Sequence, residues 1–232
     1  MPDWWLDESA HIGPEHVDAG YVAGYERKAG FDPSADLEAL RALGLDQAAI
    51  LVDLGAGTGR FALAVSRSCR RVTAVDPSGP MVRHLEFAVE RAGVTNIDVV
   101  QAGLLSYAHT GPAADFVYTR NALHQLPDAW KALALVRVAQ LLKPGGVFFL
   151  RDLVYSFDPA EMEQRIESWL SAAASSPREG WTRAELATHV STEHSTFSWL
   201  LEPMLEKAGF EIVQARPSGY PSTYASYSCV KR

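Results

Sequence analysis

The sequence predicts an α/β protein: a doubly wound, mostly parallel seven-stranded sheet with helical cap segments. Three observations carry this expectation. Short apolar runs alternate with segments of helical periodicity, a glycine-punctuated turn follows the first of those runs, and an acidic residue closes the second. Strands separated by helices pair in parallel, and right-handed crossovers place the helices on both faces of the sheet.

The elements follow in order. Residues 1–33 are rich in aromatics and interrupted by glycine and proline, which suits an N-terminal lid better than a strand. Within them a helix is expected around 17–28, with Tyr21 and Tyr25 on one face at i, i+4 spacing. A further helix is expected over 34–43, with Gly44 as its C-cap. Strand-like runs then occupy 49–54, 71–75, 97–101, 115–119, 147–151, 209–214 and 223–231, and helical patterns occupy 59–68, 79–92 and 128–142. Pro144-Gly145-Gly146 needs no purpose beyond turning the chain before the fifth strand. The stretch 155–207 breaks the alternation, with two or three helix-like segments and no convincing strand. It either lies over the carboxyl ends of the strands, where ligands bind in such sheets, or covers a sheet edge. The expected organisation is a lid (1–33), a core (34–154), a helical insertion or cap (155–207) and the last two strands of the core sheet (208–232).

Composition narrows the function. An apolar fraction of 47% supports a packed core, and a net charge of −7 argues against a nucleic-acid partner, since phosphates want a basic face. Two cysteines, Cys69 and Cys229, show no metal-ligand spacing and read as reduced thiols. The N-terminus has no basic, then apolar, signal-peptide pattern, and no apolar run reaches membrane-span length. A soluble, cytoplasmic protein with no membrane partner is expected.

The first strand runs into Asp53-Leu54-Gly55-Ala56-Gly57-Thr58-Gly59. Glycines let the backbone turn sharply and approach a ligand closely. Their G-x-G-x-G spacing differs from the G-x-G-x-x-G of dinucleotide folds, and Asp53 would face pyrophosphate with a carboxylate, so a cationic or amine-bearing ligand suits the turn better. Asp76 ends the second strand about 20 positions beyond the glycines, where an acid accepts hydrogen bonds from ribose hydroxyls. Pro77 follows it, and Met81, one turn on, is placed either to pack on a base or to fill the core.

With these residues in place, the chain resembles the class I S-adenosylmethionine-dependent methyltransferases of small-molecule type. Residues 120–128, Arg-Asn-Ala-Leu-His-Gln-Leu-Pro-Asp, after the fourth strand, and Lys143-Pro144-Gly145-Gly146 extend the resemblance over roughly 34–152. It implies a Rossmann-like sheet, S-adenosyl-L-methionine as cofactor, and cofactor contacts from Asp53, Gly55, Ala56, Gly57, Gly59, Asp76, Pro77, Arg120 and Asn121. One departure stands out. Where many relatives carry Gly-Asp after the third strand, the aspartate accepting from the adenine amine, this chain has Gly103-Leu104-Leu105. Adenine is therefore expected either to meet a backbone carbonyl or to pack in an apolar slot lined by those three residues. Tyr25, with Tyr21 and Lys28, either closes over the cofactor's amino-acid end or packs within the lid.

Methyl transfer from a sulfonium is an in-line displacement that gains mainly from alignment, and a base is needed only when the acceptor must lose a proton. His124, just past the fourth strand, is the first candidate base. Glu193 and His194, in the run 188–197, form the second, with His189 on the same helix face as Glu193. As a metal site these residues lack a further clear ligand, and no metal is expected. The chain has no Asn/Asp-Pro-Pro-Tyr/Phe signature of base-amine methylation and no Pro-Cys pair. A small organic acceptor is expected instead. Trp4, Trp5, Phe157, Trp169, Trp181, Phe197 and Trp199 form either an apolar acceptor pocket or the core of the caps. Two alternatives remain: a protein that senses S-adenosylmethionine or uses it in a non-methylating reaction, and an NAD-dependent oxidoreductase.

Overall fold

Successive residues of a strand face opposite sides of its sheet, and in this chain each side is closed by its own helices. The computed structural model describes residues 2–13, 22, 25, 28 and 31–232. Its strands are β1 (Ile50–Leu54), β2 (Arg71–Asp76), β3 (Ile97–Gln101), β4 (Ala114–Arg120), β5 (Leu142–Asp152), β6 (Val154–Tyr155), β7 (Thr196–Phe197), β8 (Phe210–Pro217) and β9 (Ala225–Lys231). Seven of them form one sheet in the order β3-β2-β1-β4-β5-β9-β8. β1 to β5 are mutually parallel, and β9 runs antiparallel to both β5 and β8.

Seven α-helices are described: α1 (Ser34–Ala42), α2 (Arg60–Val65), α3 (Gly79–Ala92), α4 (Asp128–Leu141), α5 (Met162–Ser171), α6 (Arg183–Thr192) and α7 (Ser198–Lys207). On one face Leu135 and Val138 of α4 and Leu201 and Leu205 of α7 pack with Val117, Phe148 and Leu150. On the other, Leu40, Phe61, Val65 and Leu85 of α1 to α3 pack with Leu51, Val72, Phe116 and Phe149. A separate apolar cluster (Tyr155, Phe157, Ile166, Leu170 and Leu186) gives the cap a core of its own. Each such fully buried Leu or Phe side chain contributes about 1.5–3 kcal/mol.

The seven expected strands and the α/β class are present. Several boundaries differ for local reasons. The expected 59–68 helix is α2 followed by a 3-10 turn, Ser66–Ser68. β5 already pairs at Leu142 with Ala114, and the Pro-Gly-Gly loop bulges out before Val147 meets Phe116. The 155–207 segment contains strand after all: β6 and β7 pair in parallel, Val154 with Thr196 and Tyr155 with Phe197, where the chain leaves and re-enters the sheet. Its last helix, α7, packs on the sheet face. Of the expected 17–28 helix, Val22, Tyr25 and Lys28 are helical, while Tyr21 lies outside the described residues. Both cysteines are buried free thiols. Among the described residues no helix is long and apolar enough to cross a membrane.

Strand order reverses between β1 and β4, which opens a crevice at their carboxyl ends. The glycine turn lies there. Gly55 has φ 77° and a Cβ on it would stand 2.4 Å from Ala122 Cβ; Gly59 has φ 84° and its Cβ would stand 1.9 Å from Leu85 Cδ1. Only glycine fits either position.

Candidate active site

Backbone bonds pin the glycine turn to the sheet. The Gly55 and Ala56 amides donate to Val75 O at 2.8 and 3.0 Å. The Asp76 carboxylate, ending β2, accepts from Gly57 N (2.8 Å, Oδ2) and Ser78 N (2.9 Å, Oδ1). Burial nevertheless pushes its pKa up to about 6 against those two bonds. Asp53 is fully buried near the end of β1. Burial, then the nearby Asp76 charge, raise its pKa well above the usual carboxylate value. Its Oδ2 has no hydrogen-bond partner among the described residues. An orphaned buried carboxylate oxygen calls for a donor.

Two adjoining cavities follow the crevice. One is lined by Glu8, His11, Gly55, Gly57, Asp76, Pro77, Met81, Leu104, Arg120 and Asn121, the other by Asp53, the 55–58 turn, Phe31, Arg120, Asn121 and Tyr224; Tyr25 borders both. Thus Tyr25, Asp53, Gly55, Ala56, Gly57, Asp76, Pro77, Met81, Leu104, Arg120 and Asn121 come together at these cavities. Gly59, Gly103 and Leu105 do not line them. Gly59 opens α2 against Leu85, and the Leu105 side chain is buried in the sheet core. Arg120 is held from behind by the buried Asp36 (3.0 Å), which also accepts from Tyr118 Oη (2.7 Å) and Arg151 (3.2 Å), and its guanidinium lies 4.0 Å over Phe31.

Glu8 was not foreseen. It sits in the 3-10 turn Glu8–His11, its Oε1 accepts from Leu105 N at 2.8 Å, and its Oε2 is buried with no partner among the described residues. A Cβ on Gly103 would stand 2.3 Å from Glu8 Oε1. The carboxylate therefore occupies the space beside Gly103-Leu104 where the acidic residue of the family pattern is missing. The one sequence signal was an acid in an aromatic lid.

His124 lies in the 3-10 turn Leu123–Gln125 after β4, with both ring nitrogens beside carboxylates. Nδ1 is 2.5 Å from Asp152 Oδ1 and Nε2 is 3.1 Å from Glu193 Oε2. Burial alone pulls the His124 pKa down, but the charges and hydrogen bonds of Asp152 and Glu193 outweigh it and hold it at about 9. Glu193 is likewise opposed by burial, yet His124 and His189 keep its pKa well below the usual range. Asp152, at the end of β5, also accepts from Leu123 N (2.8 Å) and Leu153 N (2.7 Å). His194 is placed differently. Its amide donates to His124 O (2.9 Å) and its carbonyl accepts from the buried Lys131 ammonium, while its ring faces His11 at 5.7 Å. Its backbone straps the cap to the core, but its imidazole does not join the cluster. Asp152 was missed because it lies far from His124 in sequence; an acid closing an apolar strand was its only signal.

A third cavity, lined by Tyr25, Asn121, His124, Gln125, Trp169, Trp181, His189, Glu193 and Tyr224, separates the strand ends from the cap. Trp169 and Trp181 thus line it. Phe157 and Phe197 pack in the cap cluster, Trp4 stacks on Trp130 at 6.4 Å, and Trp5 meets Trp130 edge-on at 5.3 Å. Trp199 is exposed.

The sheet order, the reversal point and the acid–glycine–acid arrangement at the carboxyl edge define a Rossmann-like enzyme for a nucleoside-bearing ligand. Comparison with known proteins narrows the class. Residues 51–146 match the family model described as a methyltransferase domain. The chain is 24% identical over 166 residues to an uncharacterized methyltransferase of Geobacillus kaustophilus, covering 66% of this chain and 75% of that one. It is 29% identical over 185 residues to trans-aconitate 2-methyltransferase of an Azoarcus species, covering 75% and 70%. Its fold aligns with magnesium protoporphyrin IX methyltransferase of Synechocystis, solved with bound S-adenosylhomocysteine, at TM-score 0.67, 13% identity and coverage of 97% and 100%. Residues 51–146 are thus a methyltransferase domain, and the relatives and the fold together support a class I S-adenosylmethionine-dependent methyltransferase. The residues present fit that cofactor: its α-ammonium is a donor for the orphaned Asp53 Oδ2, and its adenine amine is one for Glu8 Oε2.

Proposed function

We propose that the enzyme methylates a small organic acceptor held in the cavity between the strand ends and the cap. The observation that carries this reading is shared lining: Tyr25 and Asn121 border both cofactor-side cavities and the Trp169–Trp181–His124 cavity. An acceptor there stands beside a ligand in the crevice.

S-adenosylmethionine, when bound, supplies an electrophilic methyl group on a sulfonium. Asp53 and the 55–57 turn hold its methionyl end, Asp76 accepts from ribose hydroxyls through its remaining lone pairs, and Met81 and Leu104 flank the base. Glu8 accepts from the adenine amine in place of the missing aspartate. Arg120, fixed by Asp36 and Phe31, and Asn121, held at φ 51°, shape the junction between the sites. Trp169, Trp181 and Tyr224 exclude water and align the acceptor, which supplies most of the advantage in a displacement of this kind. His124, with both ring nitrogens engaged by Asp152 and Glu193, holds its proton at neutral pH and fixes the Glu193 carboxylate at the wall of the acceptor cavity.

Two measurements test the reading. Titration calorimetry should show S-adenosylhomocysteine binding that Asp76→Ala weakens. Incubation with a panel of small carboxylates, phenols and amines should yield a product heavier by one methyl group. Cofactor binding with no methylated product from any such panel, but methylation of an added protein or RNA, sinks the small-acceptor assignment.

A further inference from the structure

We propose that His124, His189 and Glu193 form a binding site for one divalent transition-metal ion of the zinc class, open toward the acceptor cavity. The donor atoms these residues offer all lie within 4.8 Å of one another. His124 Nε2 stands 3.1 Å from Glu193 Oε2, and His189 Nδ1 meets the same oxygen from the other side. The three donor atoms are thus gathered at one place on the cavity wall, and a bound ion would replace the proton that His124 Nε2 now directs at Glu193.

The outer partners fix that orientation. His124 Nδ1 is engaged by Asp152 Oδ1 at 2.5 Å, and Asp152 is itself fixed by the Leu123 and Leu153 amides. His189 Nε2 is engaged by Ser195 Oγ at 3.0 Å. Each imidazole thus spends one nitrogen on an outer hydrogen bond and aims the other inward, which is how metal-ligating histidines are held and their tautomers set. His124 is 6% exposed, and the side chains of His189 and Glu193 are 13% and 14% exposed, so this is not a solvated surface cluster.

The donor set selects the ion. Two imidazoles and one carboxylate suit zinc and its first-row neighbours; calcium and magnesium want all-oxygen shells. Three protein ligands leave positions open, and these face the cavity walled by Trp169, Trp181 and Tyr224. The Gln125 amide, 2.9 Å from His124 Nε2, lies on this open side and swings off when the ion enters. An acceptor carrying a hydroxyl, thiol or carboxylate would bind there as a ligand, its acidity raised by the ion. That last role rests on the proposed acceptor cavity, whereas ion binding does not. The sequence offered His189, Glu193 and His194 without a further clear ligand; the fold replaces His194 with His124.

The test is titration of metal-stripped, full-length protein with cobalt(II), followed by its visible absorption, and with zinc(II), followed by calorimetry. The expected result is one equivalent bound, with the intense visible bands of four- or five-coordinate cobalt. His189→Ala and Glu193→Gln should abolish the bands, Asp152→Asn should weaken binding roughly 10–100-fold, and His194→Ala should leave it intact. Circular dichroism and S-adenosylhomocysteine calorimetry on every variant report folding and cofactor binding separately. Absence of saturable binding by the unmodified protein, or binding that survives His189→Ala and Glu193→Gln together, overturns the site. Intact S-adenosylhomocysteine binding in that case leaves the methyltransferase reading standing.

Discussion

Asp76→Asn should remove a fall in the stability of the ligand-free enzyme between pH 4 and pH 8 while crippling its cofactor site. Burial lifts the Asp76 pKa from 3.8 to about 6 in spite of two backbone N–H donors. Between those values the folded state binds more protons than the unfolded chain, so stability falls as pH rises. The cost is complete above the folded pKa and absent below the unfolded one. At about 1.4 kcal/mol per pH unit, a gap of about two units amounts to ~3 kcal/mol at pH 8. Asparagine removes the charge at the same shape, but its amide nitrogen faces one of the two backbone N–H donors, a loss that is the same at every pH. Relative to the parent, the variant should therefore gain up to ~3 kcal/mol between pH 4 and pH 8, roughly 6–12 °C in Tm for a chain of this size, from a starting point at pH 4 set below the parent by the lost backbone bond. Thermal unfolding of both proteins from pH 4 to pH 8, without ligand, measures the difference. Calorimetry should in parallel show S-adenosylhomocysteine binding roughly ten- to hundredfold weaker, because a hydrogen bond to a charged acceptor contributes about 1.5–3 kcal/mol. A Tm difference that is the same at pH 4 and pH 8, or unchanged ligand affinity, refutes the reasoning.

Three other substitutions probe other parts of the site. Gly55→Ala brings a methyl group to 2.4 Å from Ala122 Cβ at a backbone φ of 77°, and should cost about 2–4 kcal/mol in denaturant unfolding from strain and overpacking together. Glu8→Gln should weaken S-adenosylhomocysteine roughly tenfold or more and erase discrimination against the deaminated inosyl analogue; an unchanged preference would remove Glu8 from the base-binding site. Trp169 lines only the cap-side cavity among those bordering the site, so Trp169→Ala should raise the acceptor KM and leave the S-adenosylhomocysteine Kd unchanged, as read by steady-state kinetics and calorimetry.

What could be read in advance and what could not divide along a physical line. Asp53, Gly55, Gly57 and Asp76 were legible because strand, turn and acid follow one another locally, and backbone geometry leaves few residues able to serve there. The 11-residue extent of β5, by contrast, depends on Leu142 pairing with Ala114 across a bulge, a contact with no local mark. Glu8 reaches Leu105 across most of a domain, and Asp36 gathers Tyr118, Arg120 and Arg151 from two other strands. A buried acid in a helix looks like any solvated one until tertiary structure supplies its donors. His194 is the instructive case. Sequence proximity put it beside Glu193, yet Glu193 ends α6 in extended backbone, which turns the next side chain away and leaves its amide to bind His124 O.

That turn bears on how the enzyme separates its two tasks. The cofactor end is built on strand termini whose side chains are anchored in the two sheet cores. The cap has its own apolar cluster, and the covalent continuity from β5 to α7 is supplemented near His124 by the β6–β7 pair, the Glu193 carboxylate on His124, the His194 amide on His124 O and the buried Lys131 ammonium on the His194 carbonyl, and elsewhere by Lys28 on Glu185 and the Ser156 amide on Ser222 O. Glu193 is thus tied to β5 through His124 and Asp152, while Trp169 and Trp181 pack against the apolar cluster of the cap. Substitution in the cap cluster can then reshape the acceptor cavity without moving the His124–Glu193 pair or the glycine turn. On this arrangement Leu170→Ala, in the cap core, should cost about 2–5 kcal/mol of cap packing and broaden acceptor range, with cofactor affinity unaltered. A parallel loss of S-adenosylhomocysteine binding would mean that the cap and the sheet fold as one unit and that the division of labour is false.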